Sequence, residues 1–301
     1  MIIPPFLKAG HQVGIISTAR HIPDEKVQPA VAYLNKHGLK VQIGRSIGAR
    51  ENQFAGSDEI RRHDLQQMLD DPEVKAILCA KGGYGTVRII DQINFEAFLN
   101  NPKWLAGYSD VTILHAHLNN HMATATIHSC MAGEIDEKGA DATALKSLMN
   151  GLFGYLENLT FEGHPYNQNG HAKGVLMGGN LSIIYNLIGS NSDFKPEGKI
   201  LFLEEVDEYL YHVDRMMWAL KRAGKLDKLN GVIIGGMTNM NDNEVPFGKG
   251  AETIIHEHLS LLDVPLAFAF PAGHLKANHA FYLGREILLD VGKVHSKISL
   301  V

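Results

Sequence analysis

The chain has 301 residues, 45% of them hydrophobic and 20% charged, with thirty glycines. At roughly 100 to 200 residues per domain, this length allows two domains and enough buried surface to fold without a disulfide or metal staple. The 28 basic and 33 acidic residues give a net charge of −5 with no long block of either sign, which argues against a nucleic-acid partner.

Cys79 and Cys130 are the only cysteines, each among apolar or small neighbours, and they read as reduced core thiols of a cytoplasmic protein. Their number excludes a cysteine zinc site. The opening MIIPPFLKAGH lacks the basic and long apolar regions of a signal peptide. No run of about 18 apolar residues occurs, so no membrane partner is expected.

In chain order, VGIIST is a β-rich run, VQPAVAYLNKHG has helical spacing that stops at Gly38, and LKVQIG is a second strand. In SDEIRRHDLQQMLDD, Ser57 or Asp58 is placed to cap a helix. VKAILCA then reads as a buried strand, GTVRIIDQI as a helix, KWLAGYS as a strand and VTILHAHLNNH as a helix. After the helix DATALKSLMNGLFG comes FEGHPYNQNGHAKG, rich in Gly, Asn and His, which reads as a linker. Beyond it, KGVLMGG, KILFLEE, GVIIGGM and LAFAF are strand-like, and LSIIYNLIG, VDRMMWALKRAG and AETIIHEHLSLL are helical. EILLDVGKVHSKISLV alternates like an antiparallel hairpin turning near Gly292. The alternation predicts an α/β protein. Its N-terminal domain, residues 1–150, is expected to be a parallel-sheet sandwich of Rossmann or flavodoxin type. A linker over 151–172 leads to a second mixed α/β domain, 173–301, with a β-rich, barrel-like core.

Four segments could carry chemistry. In KWLAGYSDVTILHAHL, Ser109 falls between a strand and a helix behind Gly107, a turn that pushes a hydroxyl outward while the Asp110 amide faces the same space. The same residues could simply cap the helix. In AKGGYGTVRII, Gly82, Gly83 and Gly85 open a turn whose free amides suit an anion or an oxyanion, though a tight turn needing glycine explains them equally. KILFLEEVDEYLYHVDR puts Glu204, Glu205, Asp207 and Glu208 where a strand ends. Glu204 and Glu205 alternate across the strand, so at most one is expected in a site, the other pointing to the opposite face or to solvent. LAFAFPAGHLKANHAFYLG places His274 on a strand-end loop, a position for a general base, with His279 five residues on. His115 and His117 lie two apart on a helix and face different sides, so no metal site is expected. Trp104 and Trp218 both fall in expected core elements.

Taken together, KGGYGTVRIID, WLAGYSDVTILH, GVLMGGNLSIIYNLIGS, LFLEEVDEYLYHVDRMMWALKRAG, GVIIGGMT and PAGH, in this order, resemble the LD-carboxypeptidase family of serine peptidases, which includes the microcin C immunity peptidases. The resemblance implies a Ser-Glu-His triad of Ser109 as nucleophile, Glu204 as the carboxylate that orients the imidazole and His274 as general base. It also implies an oxyanion hole from the amides of Gly83 and Asp110, no metal or organic cofactor, and a cytoplasmic homodimer. The implied substrate is a murein tetrapeptide, cut at the L,D bond to its terminal D-alanine during cell-wall recycling. The alternatives are an immunity-type peptidase acting on an aminoacyl-nucleotide toxin, a non-enzymatic anion-binding member, and a member without turnover. The chain departs from the family's pattern at His11 and at His128-Ser129-Cys130, where a His-Gly-Pro is usual. It departs again at Asn278-His279-Ala280-Phe281-Tyr282-Leu283.

Overall fold

The protein is described by a computed structural model covering residues 1–135 and 142–301. Its elements in chain order begin with β1 (Gln12–Ile16), α1 (Gln28–Lys36), β2 (Lys40–Ile43), α2 (Asp58–Asp70) and β3 (Val74–Cys79). α3 (Glu96–Asn100), β4 (Trp104–Gly107), α4 (Thr112–Asn120), β5 (Thr126–His128) and α5 (Ala142–Phe153) follow. Then come β6 (Leu159–Glu162), β7 (Gly170–Asn180), α6 (Leu181–Asn186), β8 (Lys199–Val206), α7 (Leu210–Arg222), β9 (Gly231–Thr238) and α8 (Ala251–Leu259). β10 (Leu266–Ala267), β11 (Phe281–Leu283), β12 (Glu286–Val291) and β13 (His295–Leu300) complete the chain. Asp141, expected to open the fifth helix, lies outside the described residues.

The chain divides into two compact units, Met1–Leu156 with Lys276–Tyr282, and Glu157–Leu275 with Leu283–Val301. In the first, the strands run β2-β1-β3-β4-β5, all paired in parallel, with β11 added beside β5. This is the strand order of the flavodoxin-like doubly wound sheet, whose direction of winding reverses between β1 and β3. Its strands read as continuous apolar runs because they are covered: four of the five residues of β1 and five of the six of β3 are buried.

The second unit holds a seven-stranded sheet ordered β10-β9-β8-β7-β12-β13-β6. β7 to β10 pair in parallel and β12, β13 and β6 add antiparallel strands. Met177, Leu201, Leu203, Val232 and Ile234 of the sheet pack with Val213, Met216 and Leu220 of α7 and with Ile254, Ile255 and Leu259 of α8 in one core. The hairpin expected around Gly292 forms as β12 and β13. No ladder joins β10 to β6 among the described residues, and β10 meets the chain ahead of β7 through an isolated antiparallel bridge between Leu266 and Gln168. The strand expected over LAFAF stops after two residues, where Ala269 turns to φ +59°, although the Phe270 amide still bonds the Ile234 carbonyl of β9 at 3.0 Å. Residues 159–162 and 170–172, within the stretch read as linker, belong to strands β6 and β7.

GTVRIIDQI is not an α-helix; it forms short 3-10 turns at Thr86–Arg88 and Ile90–Gln92. Thr86, Val87, Ile89 and Ile90 are β-branched and lose side-chain freedom in a helix. α2 starts as the sequence suggests, with the Ser57 hydroxyl accepting the Ile60 amide at 3.3 Å. Ser57→Ala should therefore lower stability by about 1 kcal/mol, read as a shifted urea midpoint with an unchanged slope.

Candidate active site

β4 ends at Gly107, Tyr108 stays extended and Ser109 turns left-handed at φ +63° before the chain enters a 3-10 turn and α4. A side chain in that conformation costs about 1–2 kcal/mol and persists only where its surroundings fix it. The fixing bonds are specific. The Gly107 carbonyl accepts from the Ser129 amide at 3.1 Å and from His115 Nε2 at 2.9 Å. A carbonyl only accepts, so His115 carries its proton on Nε2, and Nδ1 takes the Thr126 hydroxyl at 2.9 Å. Burial holds the His115 ring neutral by lowering its pKa to about 4. Both of its nitrogens are thereby committed to the fold.

On the other side of the elbow, Asp110 is 1% exposed and its Oδ2 accepts the Thr86 amide at 2.9 Å. Burial raises the Asp110 carboxyl above its ordinary range, against hydrogen bonding from Thr86 and the positive fields of Arg61 and Arg20. This bond ties the elbow to the glycine turn of residues 81–85. Gly82 approaches so closely that a Cβ there would lie 2.9 Å from Ser109 Oγ, so only glycine leaves the hydroxyl its space. The turn is held from behind by the fully buried Arg61, which donates to the carbonyls of Thr18 at 2.8 Å and Gly85 at 2.9 Å. Asp58 pairs with Arg61 and forms a two-point pair with Arg88.

The second unit holds a carboxylate–histidine pair. Glu204, near the end of β8, is fully buried, and its Oε2 accepts from His274 Nδ1 at 2.8 Å and from the His274 amide at 3.3 Å. The His274 ring is 19% exposed. With Nδ1 donating to the carboxylate, Nε2 is left as the basic nitrogen. Gly273 at φ +110° makes this contact possible, since a Cβ there would fall 2.8 Å from both Glu204 Cβ and Oε2.

Glu205 points to the opposite face of β8, as strand alternation requires, but does not reach solvent. It is 2% exposed. Its Oε1 accepts from Asn180 Nδ2 and the Val206 amide, and its Oε2 from the Ser182 amide at 2.7 Å, so it anchors the start of α6. Burial raises its carboxyl against those bonds. Of the two placements expected for this residue, the opposite face and solvent, the structure shows the first. Trp218 is not a core residue: it is 49% exposed on α7, whereas Trp104 is fully buried. Burial lifts both cysteine thiols to about 12, which keeps them protonated at neutral pH. His274 and His279, close in sequence, belong to different units.

The model of the LD-carboxypeptidase N-terminal domain matches residues 13–129, and that of the LD-carboxypeptidase C-terminal domain matches residues 173–289. A probable murein peptide carboxypeptidase of Bacillus subtilis (strain 168) is 31% identical over 297 residues, 96% of this chain and 92% of its own. The crystal structure of muramoyltetrapeptide carboxypeptidase from Oxalobacter formigenes has a TM-score of 0.84 at 24% identity, covering 96% of this chain and 98% of that one. The structure of MccF in complex with glutamyl sulfamoyl guanosine has a TM-score of 0.88 at 18% identity, covering 100% and 99%. At these identities the two structures speak to fold.

Two predictions follow from the buried groups. Glu205→Gln places an amide donor against donors that now meet a carboxylate. Urea denaturation should show a loss of about 1–3 kcal/mol; wild-type stability would contradict the anchoring role. For His115, the unfolded chain takes up a proton near pH 6.5 whereas the folded protein refuses it until about pH 4. Stability linked to this ring is therefore lost as pH falls through that window, by about 3 kcal/mol at most. His115→Gln should flatten this part of the stability profile.

Proposed function

Since the chain belongs to the LD-carboxypeptidase family, we propose that it is a serine carboxypeptidase that removes the terminal D-alanine from murein tetrapeptides. Ser109 is the nucleophile, His274 the general base and Glu204 the carboxylate that orients it. The observation that carries this reading is the 2.8 Å bond from His274 Nδ1 to a fully buried carboxylate, which leaves Nε2 as the proton acceptor. The left-handed Ser109 elbow supports the nucleophile assignment, because a costly backbone held in place by its surroundings is the kind found where a nucleophile is presented.

In the proposed reaction His274 Nε2 takes the Ser109 proton as Oγ attacks the carbonyl of the L,D bond. The amides of Gly83 and Asp110 donate to the oxyanion. Glu204 holds the Nδ1–H tautomer and stabilises the imidazolium. His274 then gives its proton to the amine of the leaving D-alanine, and water, activated by the same imidazole, releases the acyl group from Ser109. The choice of substrate draws on the probable murein peptide carboxypeptidase of Bacillus subtilis. The immunity-type alternative would be favoured by an aromatic-bearing loop; of the two tryptophans, Trp104 is buried and Trp218 stands exposed inside a helix. Two free, buried thiols suit a cytoplasmic enzyme, and the homodimer rests on family resemblance.

The test is incubation with a tetrapeptide ending in D-alanine, beside its all-L isomer, with release followed by mass spectrometry. The wild type should cut only the former. Ser109→Ala and His274→Ala should each lower turnover at least about a thousandfold, and their double variant little further, because the residues act as a unit. A Ser109→Ala enzyme with near-normal turnover would overturn the assignment.

A further inference from the structure

Three arginines border the glycine turn, and two are committed to the fold: Arg61 and Arg88 share Asp58. Arg20 is exposed and has no carboxylate partner among the described residues. Its backbone is nevertheless fixed, with its amide on the Gly82 carbonyl at 3.4 Å and its carbonyl accepting the Ser17 hydroxyl at 2.7 Å. Its side chain lies across Gly83, where a Cβ would come within 2.4 Å of Arg20 Cδ and 2.7 Å of Nε. The next residue back, Gly82, is the one that Ser109 Oγ touches. One turn therefore carries the elbow hydroxyl on one glycine and an unpaired cation on its neighbour.

The location has a topological reason. Arg20 follows β1 and the glycine turn follows β3, and these are the adjacent parallel strands between which the sheet's winding reverses. Open α/β sheets bind ligands outside the carboxyl ends of their strands at that reversal. The scale also fits. Successive Cα atoms are about 3.8 Å apart, which keeps Arg20 Nε within roughly 12 Å of Ser109 Oγ. A hydroxyl attacking one carbonyl, the single residue beyond it and a hydrogen bond to that residue's carboxylate together span about 10 Å.

We infer that Arg20 binds the terminal α-carboxylate of the substrate and so restricts cleavage to the last peptide bond. This deepens the proposed function and rests on it. A guanidinium presents two parallel N–H groups to a carboxylate, a match that a carboxamide forfeits along with the charge. Asp110, the nearby acid, does not replace the ligand, because it is buried and its Oδ2 is held by the Thr86 amide.

The experiment compares two peptides cut at the same bond, the tetrapeptide with a free terminal D-alanine and the same peptide ending in D-alaninamide. Wild-type kcat/KM should favour the acid by at least about thirtyfold. Arg20→Gln should collapse that ratio toward one, mainly through KM, and Arg20→Lys should restore part of it. Guanidinium chloride added to an Arg20→Ala variant should raise acid cleavage and leave amide cleavage behind. An unchanged ratio in Arg20→Gln, with the acid still cut by the wild type, would overturn the inference while sparing the proposed function. A ratio that collapses only in Lys81→Met would overturn it too, by moving the contact to Lys81, the exposed lysine just ahead of Gly82 and Gly83. Cleavage of neither peptide by the wild type would fell the proposed function first and this inference with it.

Discussion

The Glu204 carboxylate sits inside β8 with no exposure, and one of its oxygens takes both the ring N–H and the backbone N–H of His274. A buried carboxylate is costly unless it is hydrogen-bonded, and its other oxygen, Oε1, has no hydrogen-bond partner among the described residues. The bonds to His274 are thus its principal compensation. They also fix much around them: Gly273 must lack a side chain, the loop after β10 must return to the end of β8, and the imidazole must keep its proton on Nδ1. Tautomer, loop path and glycine are consequences of a single buried charge.

A comparable economy governs the serine elbow, although the cost there is backbone conformation. The left-handed Ser109 is bracketed by a carbonyl with two donors on one side and a buried carboxylate on the other. The His128-Ser129-Cys130 departure from the family's pattern does not disturb this bracket. The Ser129 amide is itself one of the two donors to Gly107, and His128 stacks on Phe281 at 4.8 Å.

Much of this was legible in the amino-acid sequence because the relevant signals are local. The apolar runs of β1, β3, β8 and β9, the Ser57 cap and the hairpin at Gly292 each follow from a handful of neighbouring residues. What escaped sequence reasoning depends on partners far away in the chain. β5 and β11 have three residues each, too short for a periodic signal, and exist because they extend a sheet already formed. The 3-10 turns that stand where a helix was expected over 85–93 are tied through the Thr86 amide to Asp110, twenty-four residues later. Glu205 followed the alternation rule, but its burial came from Asn180 and Ser182, on the preceding β7–α6 corner. Arg20 carried no motif and stands out only through its closeness to Gly83.

The proposed function assigns the strained elbow and the buried carboxylate–histidine pair to one nucleophile. Reaction of the native protein with a fluorophosphonate, followed by peptide mapping in the mass spectrometer, tests it most directly. A single adduct on Ser109, formed at a rate that falls by orders of magnitude in both His274→Ala and Glu204→Gln, is expected. An adduct on another residue, or one on Ser109 whose rate is indifferent to His274 and Glu204, would contradict it.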